Sequence, residues 1–308
     1  MKYRILGKTQ LKVSVIGLGT WQLGGEWGKQ FAQPEVDAMF ARAAELGINL
    51  VDTAECYGDH LGEQLIGAAI RSRRDRWIIA TKFGHRYLTP FQRGQSFDPA
   101  SVQRQLEGSL RALGVEAIDI YQFHSGTNQQ FDTPGLWEML NEQVRRGRIR
   151  HLGVSVSGNG NLYQTEGADR VKAGMVQVIY NRLDRKSEAE LFAATQHLNL
   201  GVLARVPLAS GFLTGKYTPQ SQFPPDDVRG MADANRESQL RKIAEAQEVK
   251  QTEVPPGVSM AQWALAWCLQ HEAVAGVIPG CKNVEQVELN AAAGDLAMVK
   301  EDHPLAAT

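Results

Sequence analysis

Residues 49–82 read NLVDTAECYGDHLGEQLIGAAIRSRRDRWIIATK. A short apolar run ends on Asp52, a loop carries Tyr57, a helical pattern covers residues 60–71, and a second apolar run, 78–81, ends against Lys82. Four-residue apolar runs suit buried strands, and the longer amphipathic stretch suits a crossover helix. The same alternation recurs outward in both directions. Candidate strands fall at residues 13–18, 49–52, 78–81, 118–123, 151–156, 175–179, 201–205 and 274–279. Helical patterns lie between them at 34–46, 60–71, 99–113, 134–146, 187–198 and 284–293. In the first of these, Val36, Met39, Phe40, Ala43 and Leu46 share one face, Pro34 suits the opening turn and Gly47 the exit. Eight such units with no Ser/Gly-rich linker predict an α/β chain folded as a single domain over residues 1–308, a closed (β/α)8 TIM barrel. Two additions are expected: an N-terminal β-hairpin over residues 1–13 at the barrel bottom, and a long connection after the seventh strand. That connection holds a Pro-rich loop at 218–227 and helical patterns at 237–250 and 259–270.

Composition narrows the function. Of 308 residues, 43% are hydrophobic and 22% charged, enough apolar material for a large core. Lys and Arg total 33 against 34 Asp and Glu, so no single-sign field exists to hold nucleic acid or an anionic membrane. The three cysteines, Cys56, Cys268 and Cys281, are far apart and form no CxxC pair, which suits reduced thiols in the cytoplasm. The first residues lack the apolar core of a signal peptide, and no stretch approaches the roughly 20 apolar residues of a membrane span. A cytoplasmic location is expected. Oligomeric state is not encoded in any motif.

In barrels of this type, functional groups gather at the carboxyl ends of the strands. The runs NLVD, IIATK and IYQFH end on Asp52, Lys82 and His124. Taken singly, Asp52 and Lys82 could be a buried ion pair and His124 a core histidine. Together with Tyr57, five residues beyond Asp52, they place four polar side chains at one opening. An isolated phenol has a pKa of about 10. Lys82 beside it is expected to lower that value, with Asp52 keeping the lysine protonated and His124 orienting a carbonyl or passing a proton. Such a set is equipped to protonate an alkoxide as hydride arrives.

The segments GLGTWQLGG, NLVDTAECYGDHLGEQLIG, IIATKFG, IYQFHSG, HLGVSVSG, VQVIYNRLDR, PLASGFLTGKY and VIPGCKNVEQVELN occur in this order and span nearly the whole chain. In this set the sequence strongly resembles the aldo-keto reductase superfamily, and it looks closest to bacterial general-stress and inositol-catabolism reductases. The resemblance implies NADPH bound without a Rossmann domain and reduction of a small-molecule aldehyde or ketone, an activity of the alcohol dehydrogenase (NADP+) type. Matched to the family motifs, Asp52, Tyr57, Lys82 and His124 are catalytic, with Tyr57 the general acid. Gly19, Thr20 and Trp21 resemble the turn beside the nicotinamide, and Asp52, Ser155 and Gln177 lie with it, the last two resembling the residues that bind its carboxamide.

The stretch PLASGFLTGKY supplies Pro207, Leu208, Ser210, Gly211, Leu213, Gly215 and Lys216, a small-residue loop whose amides can approach a pyrophosphate. The long connection is then read as covering the cofactor. After strand eight, Gly280 and Lys282 open a helix, where Lys282 resembles the cation that pairs with the 2'-phosphate and Gln286 and Asn290 the pair facing adenine. Trp21, Tyr57, Phe83 and His124 are expected to line the substrate pocket. Three positions depart from the common pattern: Val156 stands where many members have asparagine, Arg205 where an aromatic usually stacks on the nicotinamide, and SGTN follows His124. Cys56 has no evident base partner and reads as incidental. A regulatory barrel with slow turnover, as in potassium-channel β subunits, is the alternative. A metal-dependent hydrolase ranks last, because neither HxH in the first strand nor HExxH on a helix is present.

Overall fold

A computed structural model describes residues 1–231 and 235–301. The chain opens with an antiparallel hairpin, β1 (Tyr3–Ile5) and β2 (Lys12–Ser14). Eight parallel strands follow in one sheet: β3 (Leu18–Gly19), β4 (Leu50–Asp52), β5 (Ile78–Phe83), β8 (Ile118–His124), β9 (Ile149–Ser155), β10 (Ala173–Ile179), β11 (Gly201–Arg205) and β12 (Val274–Val277). A second hairpin, β6 (His85–Thr89) with β7 (Gln92–Gln95), interrupts the series after β5. The sheet closes on itself. Parallel bridges join Ile16 to Val277 and Gly19 to Gly280, making β12 the neighbour of the first strand. At the seam the backbones approach so closely that a Cβ on Gly19 would lie 2.4 Å from the Ile278 carbonyl oxygen, so only glycine fits there.

The (β/α)8 barrel expected from the alternation is therefore present, with helices α1 (Gln33–Glu45), α2 (Leu61–Ile70), α3 (Pro99–Leu113), α4 (Asn128–Phe131), α5 (Leu136–Arg145), α6 (Leu162–Arg170), α7 (Leu191–His197), α8 (Arg236–Thr252), α9 (Met260–Gln270) and α10 (Val284–Ala293) outside it. Local chemistry sets their ends. In α3 the Asp98 carboxylate accepts the Ser101 amide hydrogen at 2.9 Å, Pro99 occupies the first turn and Gly114 leaves with φ 64°. Several boundaries moved. Val13 and Ser14, expected to begin the first barrel strand, belong to the N-terminal hairpin instead, and β5 runs on through Lys82 to Phe83. Helix α6 gave no signal in the sequence, because its buried face is Gln164, Thr165, Gly167 and Ala168 rather than an apolar stripe. No described helix is long and apolar enough to cross a membrane.

Strand alternation builds the working end. The lumen is filled by an apolar layer that includes Leu50, Ala80, Ile120, Met175 and Leu203. Side chains two residues apart share a face, so the next inward positions are Asp52, Lys82, Gln122, Gln177 and Arg205. A polar layer thus caps an apolar lumen at the carboxyl ends of the strands. Residues one step out of phase point into the larger core between sheet and helices. Phe83 is one of them: fully buried, it packs at 5.0 Å ring separation on Tyr121 and at 6.0 Å on Phe123. The expectation that Phe83 lines the substrate pocket is therefore wrong, and the pleat is the reason.

Candidate active site

Asp52, Tyr57, Lys82 and His124 meet at one opening. Lys82 Nζ donates to Asp52 Oδ1 at 2.5 Å and to the Thr53 carbonyl at 2.7 Å, and lies 3.4 Å from the Tyr57 hydroxyl. The second carboxylate oxygen of Asp52 accepts from Gln122 Nε2 at 3.0 Å and Gln177 Nε2 at 2.7 Å. Lys82 is only 1% exposed and Asp52 3%. A pair this deeply buried persists because each partner's remaining hydrogen-bonding capacity is also met. Gln122 was invisible in the sequence, lying inside an otherwise strand-like run. Gln177 was singled out, but its amide nitrogen is committed to Asp52 and to Gln122 Oε1 at 3.1 Å, which leaves its own carbonyl oxygen as the group for a ligand.

The phenol corrects the electrostatic expectation. Burial pushes the Tyr57 pKa up, the Lys82 charge pulls it down, and the balance is a rise. For Lys82, burial pulls down, but Asp52 and Tyr57 outweigh it and the ammonium is favoured. His124 is driven well below the usual imidazole range, by burial first and then by the charges around it, so it is neutral at neutral pH. His85, from the unforeseen hairpin, stacks on it at 4.5 Å and is itself lowered to about 4, mainly by burial. Cys56 Sγ sits 3.9 Å from His124 Nδ1, but burial pushes its thiol up to about 11, which removes thiolate chemistry. Trp21 lies parallel to the Tyr57 ring at 6.2 Å and donates its indole hydrogen to Glu26 at 2.8 Å. Glu26, 2% exposed, also takes the Phe91 amide at 2.7 Å and pairs with Arg93 at 2.5 Å. Glu26, His85, Phe91 and Arg93 line this end.

From here a cleft of about 810 Å³ runs across the barrel mouth. Gly19, Thr20, Trp21, Gln177, Arg205, Pro207, Leu208, Ser210, Gly211, Lys216, Gly280, Lys282, Gln286 and Asn290 all line it, as the sequence suggested. Ser155, Leu213 and Gly215 do not. Ser155 is buried behind Ser125, their hydroxyls 3.4 Å apart. The Leu213 and Gly215 amides are consumed within the turn by Leu208 and Phe212 carbonyls, so neither can serve a phosphate. Around that turn Val206, Ala209 and Ser210 have φ of 55°, 49° and 59°. Left-handed backbone at a β-branched residue is strain of the kind found at functional loops.

At the far end Lys282 donates to the Trp27 carbonyl and lies 3.9 Å from Asp227, which also holds Arg229 by two bonds of 2.8 and 2.6 Å. Trp27 and Asp227 form an antiparallel bridge, with the Gly28 amide on the Asp226 carbonyl at 3.0 Å. The long connection is thus tied across the cleft to the loop after β3. Arg229, stacked 4.3 Å from Phe223 and 5.1 Å from Trp27, lies just past the Pro-rich loop at 218–227 and had no sequence signal of its own. Among the described residues no cluster of three or more His, Cys, Asp or Glu could hold a metal ion.

The barrel, the polar layer at its carboxyl end and the Asp52–Lys82–Tyr57 chain define an aldo-keto reductase, and the chain belongs to that family: the family model described as the Aldo/keto reductase family matches residues 15–306. It is 32% identical over 304 residues to the uncharacterized oxidoreductase YqkF of Bacillus subtilis, covering 98% of this chain and 94% of that one. Among solved structures it is similar to aldo-keto reductase AKR11C1 from Bacillus halodurans in its holo form, with TM-score 0.79, 28% identity and 98% of each chain covered. It is also similar to an aldo-keto reductase from Klebsiella pneumoniae in complex with NADPH, with TM-score 0.69, 28% identity, 96% of this chain and 90% of that one.

Proposed function

We propose that the whole chain works as one cytoplasmic unit that reduces a small aldehyde or ketone to its alcohol with NADPH, and oxidises alcohols with NADP+ in reverse. The observation that carries this reading is the Tyr57 hydroxyl at the head of the cleft, 3.4 Å from an ammonium that is itself locked to Asp52. The cleft suits the cofactor. It is long, its far end carries Lys216, Arg229 and Lys282, and its lining residues Trp27 and Gln22 each keep a buried polar atom, Nε1 and Oε1, without a hydrogen-bond partner among the described residues. Lys282 and Arg229 would meet the 2'-phosphate, Gln286 and Asn290 the adenine, Gln177 the carboxamide. NADPH, when bound, supplies the hydride.

The protein's own groups do the rest. The carbonyl oxygen accepts from the Tyr57 hydroxyl, with the ring nitrogen of His124 that faces away from Cys56 completing its position. Tyr57 gives its proton to that oxygen as negative charge develops. Lys82 stabilises the phenolate left behind, and Asp52, anchored by Gln122 and Gln177, keeps Lys82 charged. A raised phenol pKa suits this role, because the acid is fully protonated at neutral pH. Trp21, His85 and Phe91 provide walls that exclude water. A panel of carbonyl substrates, read by loss of NADPH absorbance with NADH in parallel, tests the proposal. NADPH consumption dependent on an aldehyde or ketone is the expected result, and no consumption with any member contradicts it.

A further inference from the structure

Of the cations lining the cleft, Lys82, Arg93 and Arg229 each have a carboxylate within 2.6 Å. Arg205 has none. Among the described residues its side chain makes no hydrogen bond or ion pair, and its Nε is buried without a partner. Burial pulls its pKa down, yet a guanidinium stays charged under such pressure. The position is built rather than accidental: Arg205 is in register with Ile179 at the top of β11, and the chain turns at once through the left-handed Val206. An uncompensated charge this close to a reaction centre costs stability, so its effect on what binds there is the question to ask.

The answer rests on the NADPH reading above. Hydride must reach the carbon whose oxygen Tyr57 protonates, so the nicotinamide lies at the Tyr57 end, where the Arg205 charge acts on Tyr57, Asp52 and His124. That ring is neutral in NADPH and carries a positive charge in NADP+. We propose that Arg205 is a redox-selective cofactor residue, whose unpaired charge makes the cleft hold the reduced nicotinamide in preference to the oxidised one. An aromatic side chain at the same place would do the reverse, since a π face attracts a cation. The phosphates are common to both cofactor forms and cancel in the comparison. The consequence lies in exchange. NADP+ competes poorly for the empty cleft and leaves readily after turnover, while hydride transfer within the complex becomes less favourable by the same factor.

Two like charges roughly 5 Å apart in a site of intermediate dielectric change an affinity by about tenfold to a hundredfold. Binding of NADPH and of NADP+ is therefore measured separately by titration calorimetry at fixed ionic strength, for the wild type and for Arg205→Gln, Arg205→Lys and Arg205→Tyr, each checked for a native melting transition. The wild type is expected to prefer NADPH, and Arg205→Gln to shrink that preference by about tenfold, mainly by binding NADP+ more tightly. Arg205→Lys keeps the charge and most of the preference, and Arg205→Tyr moves furthest toward NADP+. Equal shifts for both cofactors, or an unchanged ratio, would overturn the proposal while leaving NADPH use intact. A wild type that binds neither form would remove the NADPH reading itself, and this proposal with it.

Discussion

Tyr57 keeps its proton because burial outweighs the pull of Lys82. In the proposed mechanism the phenol is the working form in carbonyl reduction, and its pKa lies above the ordinary value of about 10. The rate of reduction should therefore be flat from neutral pH to roughly pH 9 and fall only above that, as the proton is lost. A fall in kcat/KM for reduction beginning near pH 7 would show that another group controls proton transfer. Lys82→Met should abolish most turnover, but it also leaves Asp52 buried without its cation. Breaking such a pair costs about 3–5 kcal/mol. The variant should unfold at markedly lower urea, and adding Asp52→Asn should recover stability without activity. Recovery of activity in the double variant would show that the charges serve the fold alone.

His124 and His85 carry a separate consequence. Both are held below the ordinary imidazole pKa of about 6.5, so the unfolded chain binds protons that the folded chain refuses. The stability they contribute is complete above that pH and drains away as pH falls toward about 4, where His85 titrates when folded. Chemical denaturation at pH 7 and pH 5 should show this loss, and His85→Gln should lessen it. An unchanged loss in the variant would assign it to other groups.

At the level of elements, the strand tops were legible because an apolar run that stops on Asp52, Lys82 or His124 breaks its own pattern, and a broken pattern is what sequence shows best. What alternation hides is phase. Phe83 adjoins Lys82 in the sequence yet faces the opposite side of the sheet, and Gln122 and Gln177 share the inward face with Lys82. The β6–β7 hairpin was not legible either, since HRYLTPFQRGQ has no apolar face that a core would demand. Its contribution runs through Arg93, which pairs with Glu26, which receives the Trp21 indole hydrogen, and Trp21 lies against Tyr57. Arg93→Met should free Glu26 and loosen that wall, raising KM for a good carbonyl substrate by about tenfold. NADPH affinity should stay within twofold or so, because the hairpin lies away from the groups proposed to meet the 2'-phosphate and the adenine. An equal loss of NADPH binding would mean that the hairpin serves the cofactor.

At the scale of the whole molecule, the proposed chemistry sits at one end of the barrel and the closure of its lumen at the other. At the barrel bottom Arg4, 4% exposed, donates to the Val274, Leu269 and Lys300 carbonyls at 2.6, 2.9 and 2.7 Å, sealing the lumen under the N-terminal hairpin. Arg4→Met leaves those acceptors without a donor and should cost about 3 kcal/mol of stability. The polar layer at the opposite end is untouched, so kcat below the melting transition should match the wild type. A large fall in kcat there would show that the two ends are coupled.

The claim that binds the three scales is that the barrel holds NADPH and a carbonyl so that Tyr57 supplies the proton. It is tested most directly by loading the protein with NADPH, mixing it with an aldehyde and following a single turnover for the wild type and Tyr57→Phe. The account predicts oxidation of the bound NADPH in the wild type and a rate at least about a hundredfold lower in the phenylalanine variant. NADPH affinity should be the same in both. A Tyr57→Phe protein that turned over at the wild-type rate would contradict it.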